Sequence, residues 1–186
     1  MKTALMCLIL LMASTVRAQD RIDLYADLGR SSCEITDQSA FALVRVYVFL
    51  DGPVLSTGVR FKAPIPACWK GATWVGDSLP DANHAAIGDS QSDWSVAFSS
   101  QTGCLPSTPI HVGTISIIAT GGALSCCDMT AVPPVPYPFE FTDCNFGAHP
   151  LIAGQKIVVN ADSSCRCQSP LAVETTTWGR VKSLYR

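Results

Sequence analysis

The run FALVRVYVFL occupies residues 41–50 and decides the fold class of this chain. It consists of β-branched, aromatic and other apolar residues around one charged residue, Arg45, and this composition favours a β-strand. The turn sequence Asp51-Gly52-Pro53 follows at once and ends the run. We therefore predict a strand over residues 41–50, with a central position in a sheet.

Strand patterns recur on both sides of this run. Trp94, Val96 and Phe98 alternate with small residues, which predicts a half-buried strand with Trp94 in the core. The four prolines of residues 132–138 cannot donate to a ladder, so that segment is predicted to be an extended linker or an edge segment. The predicted strands are residues 22–27, 41–50, 59–63, 72–75, 94–99, 110–119, 139–141 and 156–160. The third and fourth of these are expected to be sheet edges, with a long polar loop after the fourth.

Length and composition agree with a single β domain. The chain has 186 residues, of which 48% are hydrophobic and 15% charged, so it can bury a core and does not resemble a disordered or coiled-coil protein. Its 13 Gly and 12 Pro divide it into short strands joined by turns. Eight or nine such strands predict an all-β, two-sheet sandwich of jelly-roll or immunoglobulin-like type. The one helix candidate is residues 175–186, where Trp178, Val181 and Leu184 recur at helical spacing.

Residues 1–18 have the features of a signal peptide. Lys2 precedes an apolar run over residues 4–13, and Val16 and Ala18 stand at the −3 and −1 positions of a cleavage site. No run is long enough to span a bilayer, so a secreted protein is predicted, whether extracellular, periplasmic or at the cell surface. Removing this segment takes away two of the 13 basic residues and none of the 15 acidic ones, which leaves a net charge of −4. That balance argues against a nucleic-acid partner.

Eight cysteines remain in the mature chain, and an even number in an exported protein predicts four disulfides. A bridge between the neighbours Cys126 and Cys127 would be strained, so these two are expected to point to opposite faces. Zinc is the alternative use of the thiols, but the paired Cys-x-x-Cys spacing of zinc ribbons is absent and no metal site is predicted. The cysteines are Cys33, Cys68, Cys104, Cys126, Cys127, Cys144, Cys165 and Cys167.

The sequence leaves the disulfide connectivity open, because eight cysteines allow 105 pairings. We favour a bridge between Cys68 and Cys104, since these residues bracket a strand-loop-strand unit. We also expect Cys33 to pair with Cys165 or Cys167, which would join the two ends of the chain.

Residues 76–79 spell Gly-Asp-Ser-Leu, the signature of the GDSL hydrolases, and Asp81 and His84 supply the Asp-x-x-His spacing of that family. In such an enzyme Ser78 would be the nucleophile, His84 the base and Asp81 the residue that orients the base. In the family that it resembles, the Asp-x-x-His block lies far downstream on an α/β scaffold. Here all three residues fall within one seven-residue loop, so we predict a polar turn and no catalytic residues.

Residues 69–93 are the candidate binding surface. Tryptophan is frequent at protein interfaces, and Trp69 and Trp74, with Asp77 and Asp81, are the predicted surface residues. Calcium is an alternative role for the acidic side chains, although the EF-hand order of ligands is missing and no other cofactor is predicted. The candidate calcium ligands are Asp77, Asp81, Asn83, Asp89 and Asp93.

Two parts of the chain resemble known groups. Residues 59–119 resemble the strand order of cohesin-like domains, a likeness that implies a jelly-roll sandwich and a protein-binding role. It is carried by Val59-Arg60-Phe61, Gly71-Ala72-Thr73-Trp74, Trp94-Ser95-Val96-Ala97-Phe98, Gly103-Cys104 and Val112-Gly113-Thr114-Ile115.

The second resemblance is in residues 174–186. This tail is similar to the Thr-Trp-Gly-x-x-Lys-x-Leu-Tyr-Arg ending of uncharacterised exported bacterial proteins, with Trp178, Lys182 and Tyr185 at motif positions. The chain is thus divided into a signal peptide (1–18), a disulfide-stapled sandwich (19–173) and this tail.

These patterns favour a non-catalytic secreted sandwich that acts as a protein-binding, adhesion or structural module, through a protein partner or self-association. The alternatives are a secreted serine hydrolase that uses Ser78 and a self-assembling coat or filament subunit. Labelling by a serine-reactive phosphonate that is lost in Ser78→Ala would identify the hydrolase. Concentration-dependent assembly that is lost on deleting residues 175–186 would identify the subunit.

Overall fold

The computed structural model describes residues 20–52, 55–99, 104–105 and 109–167. The predicted signal peptide, the C-terminal tail and its helix candidate lie outside these residues. The described chain is all-β, and it contains no helix able to cross a bilayer. Its strands are β1 (Arg21–Tyr25), β2 (Glu34–Ile35), β3 (Ala42–Asp51), β4 (Ser56–Phe61), β5 (Trp69–Lys70), β6 (Thr73–Ser78), β7 (His84–Asp89), β8 (Asp93–Phe98), β9 (Ile110–Ala119), β10 (Gly122–Ala123), β11 (Cys127–Met129), β12 (Glu140–Asp143), β13 (Ala148–Pro150), β14 (Ile152–Ala153) and β15 (Ile157–Val159).

Five strands form the first sheet, in the order β14-β1-β3-β9-β6. β3 covers the run at residues 41–50 and pairs with β1 on one side and β9 on the other, so its predicted central position is confirmed. β6 is an edge strand, also as predicted. A shift of register between Trp74 and Gly76 leaves Val75 outside the pairing of β6 with β9.

Five further strands form the second sheet, in the order β13-β12-β4-β8-β7, with antiparallel pairing throughout. β4 lies at its centre, so the prediction that residues 59–63 form a sheet edge is wrong. Pro64 and Pro66 follow the end of β4 at Phe61, and they therefore remove no hydrogen-bond donor from its ladders.

The long polar loop expected after residue 75 is also wrong. β6 continues to Ser78, and a second strand, β7, begins at His84 after a short turn. That turn is closed by a hydrogen bond from the His84 N–H to the Asp81 carbonyl. Both are edge strands that bury few side chains, so their small and polar residues made the segment look like a loop.

The two large sheets pack around one hydrophobic core. Trp94 of β8 reaches across to β9, where a Cβ at Gly113 would lie 2.5 Å from the indole ring, so only glycine leaves room for it. Trp94 is buried, as predicted, and each large side chain buried in this way contributes about 1.5–3 kcal/mol. The two-sheet sandwich is thus confirmed. Buried residues include Val46, Val48, Leu50, Ile115 and Ile117 of the first sheet and Val59, Phe61, Val96, Phe98 and Phe141 of the second.

Two small sheets, β11-β15-β2 and β10-β5, complete the fold. Asp37, directly after β2, is buried and joins them. Its carboxylate accepts hydrogen bonds from the Trp69 indole at 3.0 Å and from the backbone N–H groups of Gly121 at 2.7 Å and Ala123 at 3.0 Å.

The described residues contain four disulfides, as predicted. Cys33 pairs with Cys167, which confirms that the two ends of the chain are joined. The predicted bridge between Cys68 and Cys104 is wrong, because Cys68 lies next to β5 and faces β11, whereas the neighbour of Cys104, Leu105, pairs with Ser56 of the second sheet. The observed pairs are Cys33–Cys167, Cys68–Cys127, Cys104–Cys144 and Cys126–Cys165, with Cα atoms 5.5 to 5.8 Å apart.

Candidate functional site

The outer face of the second sheet carries a groove of about 760 Å³, and we call this surface the groove face. The strand registers place small side chains in one row across all five strands. Neighbouring strands lie about 4.8 Å apart, so the row forms a shallow trough about 19 Å long. Its members are Ala85, Ala97, Gly58, Thr142 and Ala148.

Large apolar side chains stand at both edges of the groove face. Ile87 of β7 is 81% exposed, and Phe146, in the turn between β12 and β13, is 83% exposed. The carboxylate of Asp143 orders that turn by accepting the N–H groups of Asn145 and Gly147, each at 2.8 Å. The Cys104–Cys144 disulfide ties the same turn to the segment before β9. The ordered turn therefore fixes Phe146 in an exposed position.

Charged side chains lie beside the trough. Arg60 donates to Asp93 through Nε at 2.9 Å and Nη2 at 2.5 Å, and the ring of Tyr137 covers the guanidinium at 3.4 Å. This hydrogen bonding lowers the pKa of Asp93 and raises that of Arg60. Glu140 is paired across the strands with Arg60 but makes no ion pair with a described residue. Glu140 thus lies beside the trough as a carboxylate without an ion-pair partner among the described residues.

A histidine supports the turn that carries Phe146. Nε2 of His149 contacts Oδ2 of Asp143 at 2.8 Å, and its ring stacks on Phe141 with centroids 5.0 Å apart. The hydrogen bond from His149, followed by those from the turn amides, lowers the pKa of the Asp143 carboxyl.

Comparison with known proteins shows which solved structures share this two-sheet architecture. No family model matches the sequence, and no curated protein matches it. A cohesin module from the family 33 glycoside hydrolase of Clostridium perfringens ATCC13124 aligns with a TM-score of 0.55 at 5% identity, covering 77% of this chain and 98% of that one. The third ScaB cohesin of R. flavefaciens, in complex with a group 1 dockerin, aligns with a TM-score of 0.51 at 13% identity, covering 76% and 96%. The fold is cohesin-like.

The cohesin-like fold confirms the resemblance drawn from residues 59–119. The resemblance of the ending at Trp178, Lys182 and Tyr185 falls on residues outside the described part of the chain. At sequence identities of 5% and 13%, the comparison shows the fold alone. The binding properties of this chain depend on its own surface residues.

The predicted surface residues occupy very different places in the cohesin-like sandwich. Trp69 is 2% exposed and bonded to Asp37, so it forms part of the core and no surface. Trp74 is half-buried and donates to Asp77, whose other hydrogen bonds come from Ser90 inside the fold. The prediction failed for Trp69 because its indole donates a hydrogen bond to the buried carboxylate of Asp37, a contact between distant residues that a local pattern does not reveal. Asp81 is exposed, on the turn before β7.

The GDSL residues do not assemble into a triad. Asp81 does bind Nδ1 of His84, at 2.8 Å. Ser78 is paired with Thr114, so its exposed side chain lies on the face of the first sheet opposite to the buried Ile115. The His84 side chain is 6% exposed on the second sheet, and its Nε2 is buried without a hydrogen-bond partner. Ser78 therefore points away from the core on the first sheet and His84 points towards the core on the second, and no hydrogen bond joins them.

The carboxylates considered for calcium are already engaged within the fold. Among the described residues, the one group of three metal-type ligands is Cys126, Asp162 and Cys165, and its two thiols form a disulfide. The hydrogen bonds are those of Asp77 with Ser90, Asp81 with His84, Asp89 with Gln91 and Ser92, and Asp93 with Arg60.

Sequence reasoning missed the groove face, although a signal for it was present. The alternation that put Trp94, Val96 and Phe98 in the core also put small residues on the opposite face of β8. Small residues on this face indicate a shallow surface, and Ile87 is exposed beside it. Phe146 carried no such signal, because it lies in a turn.

Proposed function

We propose that this protein is a non-catalytic, exported module that binds another protein on its groove face. The observation that carries the proposal is the trough of small residues with Ile87 and Phe146 exposed at its two edges. Exposed apolar side chains that flank a concave strip are typical of protein-binding surfaces. The cohesin-like fold supports this role by analogy, since the similar ScaB cohesin is in complex with a dockerin.

The chemistry of the groove face specifies what the partner presents. Arg60 forms an ion pair with Asp93, whereas Glu140 makes no ion pair with a described residue. The partner is therefore an amphipathic protein segment whose apolar side chains meet Ile87 and Phe146 and whose Lys or Arg reaches Glu140. The trough is about 19 Å long, which matches roughly three to four turns of a helix laid across the strands.

The groove face lies away from Trp69, which is buried, and from Asp77, which is bonded to Ser90. Trp74 and Asp81 remain proposed members of a wider surface at the β6–β7 end. Ile87 belongs to the same 69–93 segment and extends it onto the groove face.

Export is part of the proposal. Four disulfides in one domain are expected in an oxidising compartment and are rare in the cytosol. The signal-peptide features of residues 1–18 support the same compartment. We propose an extracellular, periplasmic or cell-surface location.

The test is a binding experiment with a blocked groove. The oxidised protein is cross-linked to proteins of its native exported fraction, and bound partners are identified by mass spectrometry. Ala97→Arg fills the trough floor and is expected to weaken partner binding at least about 100-fold, because a buried, unpaired charge costs several kcal/mol at an interface.

A matched variant on the opposite side controls for non-specific effects. Leu43→Arg places the same charge on the exposed face of the first sheet and should leave partner binding unchanged. Glu140→Lys should lower the association rate and reverse its dependence on salt. Partners that bind Ala97→Arg as well as they bind the original protein would contradict the proposal.

A further inference from the structure

The two large sheets have four edge strands, and three of them are protected against pairing with another chain. β6 is interrupted at Val75, β13 is three residues long and ends in Pro150, and β14 has two residues. Interruptions, proline and short length are the usual ways in which edges avoid association. Over residues 84–87 β7 has none of them: it pairs with β8 in regular register and contains no Lys, Arg or Pro, and the positive φ of Gly88 (78°) comes at its far end.

From Ala85 to Ile87, β7 is also uncovered on both of its faces. Ala85 and Ile87 point to the groove face, and Ala86 points to the core side, yet all three are exposed. The strand therefore projects beyond the sandwich, and no described strand pairs with its outer side.

The free edge presents the backbone of Ala86. The Ser99 N–H donates to the Asn83 carbonyl, so residues 83, 85 and 87 are the ones that exchange hydrogen bonds with β8. The His84 N–H turns back to Asp81, which agrees with this alternation. By the same alternation, the N–H and C=O of Ala86 point away from β8.

We propose that two copies of this chain associate through β7, as antiparallel neighbours with Ala86 opposite Ala86 of the second copy. This register lets each Ala86 exchange two hydrogen bonds with its counterpart. It also places Ile87 opposite Ala85 of the other copy, so that a large side chain packs over a small one.

The charges along the edge agree with self-pairing. In this register His84 lies opposite Gly88, and Asn83 lies opposite Asp89, so no two like charges face each other. A two-fold axis through the Ala86 pair would join the second sheets of both copies into ten strands, with both groove faces on one side. The inference does not rest on the proposed partner binding, because it uses only the backbone and register of β7.

Sedimentation equilibrium of the oxidised full chain tests the inference, and a monomer–dimer equilibrium is expected. Ala86→Lys sets two like charges directly opposite each other and should weaken the dimer at least about tenfold, and Ala86→Glu should do the same. An equimolar mixture of the two variants should restore association, because a Lys then faces a Glu. Ala86 is exposed, and near-ultraviolet circular dichroism verifies that each variant keeps its tryptophan environments.

Val75→Lys, on the edge strand of the other sheet, is the matched control and should leave the dimer unchanged. A wild-type chain that is monomeric at every concentration would overturn the inference. So would a dimer that Val75→Lys disrupts and Ala86→Lys does not, or a charge-swapped mixture that remains monomeric.

Discussion

At the scale of single residues, Asp37 connects parts of the chain that lie far apart in sequence. One buried carboxylate takes hydrogen bonds from the Trp69 indole and from two backbone N–H groups near β10. A buried donor that loses its acceptor costs about 1–3 kcal/mol. We expect Asp37→Ala, which orphans three donors, to lower the free energy of unfolding by about 3–5 kcal/mol.

Chemical denaturation followed by tryptophan fluorescence measures this loss. Asp89→Ala is the matched control, because Asp89 accepts the N–H groups of Gln91 and Ser92 in a turn that water can reach. Asp89→Ala should lower the free energy of unfolding by less than about 1 kcal/mol. Equal losses in the two variants would show that Asp37 is an ordinary turn residue.

At the scale of elements, the β12–β13 hairpin depends on the ionised form of Asp143. The hydrogen bond from His149, together with those from the turn amides, holds the pKa of this carboxyl below its ordinary value. A carboxyl whose pKa is lower in the folded state adds stability above its unfolded pKa of about 3.9, and this stability is lost as the pH falls through the folded pKa.

We therefore expect Asp143→Asn to be destabilising at pH 6, with a difference from the original chain that shrinks as the pH is lowered below about 4. Urea unfolding at several pH values between about 4 and 6 measures this difference in the free energy of unfolding. Asp128→Asn, in a surface pair with Lys156, should show a smaller difference at pH 6. A difference for Asp143→Asn that is constant with pH would contradict the role assigned to its charge.

At the scale of the whole molecule, the disulfides join distant parts of the chain. The Cys33–Cys167 bridge closes a sequence separation of 134 residues, and Cys104–Cys144 closes one of 40. In the chain-entropy account, longer loops gain more stability, about 5 kcal/mol for the first and about 4 kcal/mol for the second.

Replacing Cys33 and Cys167 by serine should therefore destabilise the protein by about 1 kcal/mol more than replacing Cys104 and Cys144. Guanidinium unfolding of the two double variants compares them directly. The second pair is the natural control, because each variant loses one bridge. A reversed order would mean that native contacts near Cys104, and not loop closure, dominate its contribution.

The strands were predictable where a local pattern coincides with burial. The alternation of Trp94, Val96 and Phe98 and the apolar run at residues 41–50 correctly located β8 and β3, since alternate side chains must meet one core. Residues 76–89 were misread because edge strands bury little, so their sequence keeps the polarity of a loop. The central position of β4 was missed because the prolines after it look like edge signals.

By itself, the sequence determined the all-β class and the position of the longest strands, because residue composition and the alternation of apolar residues act locally along the chain. The number and positions of the cysteines also determined four disulfides and the joining of the chain ends. Only the tertiary structure decided that Cys68 meets Cys127, that Trp69 is buried and that Ser78 and His84 face apart. It also decided that five small residues from five strands form one trough with Ile87 and Phe146 at its edges. Each of these depends on which strands become neighbours and in what register, and that is set by the packing of the whole core.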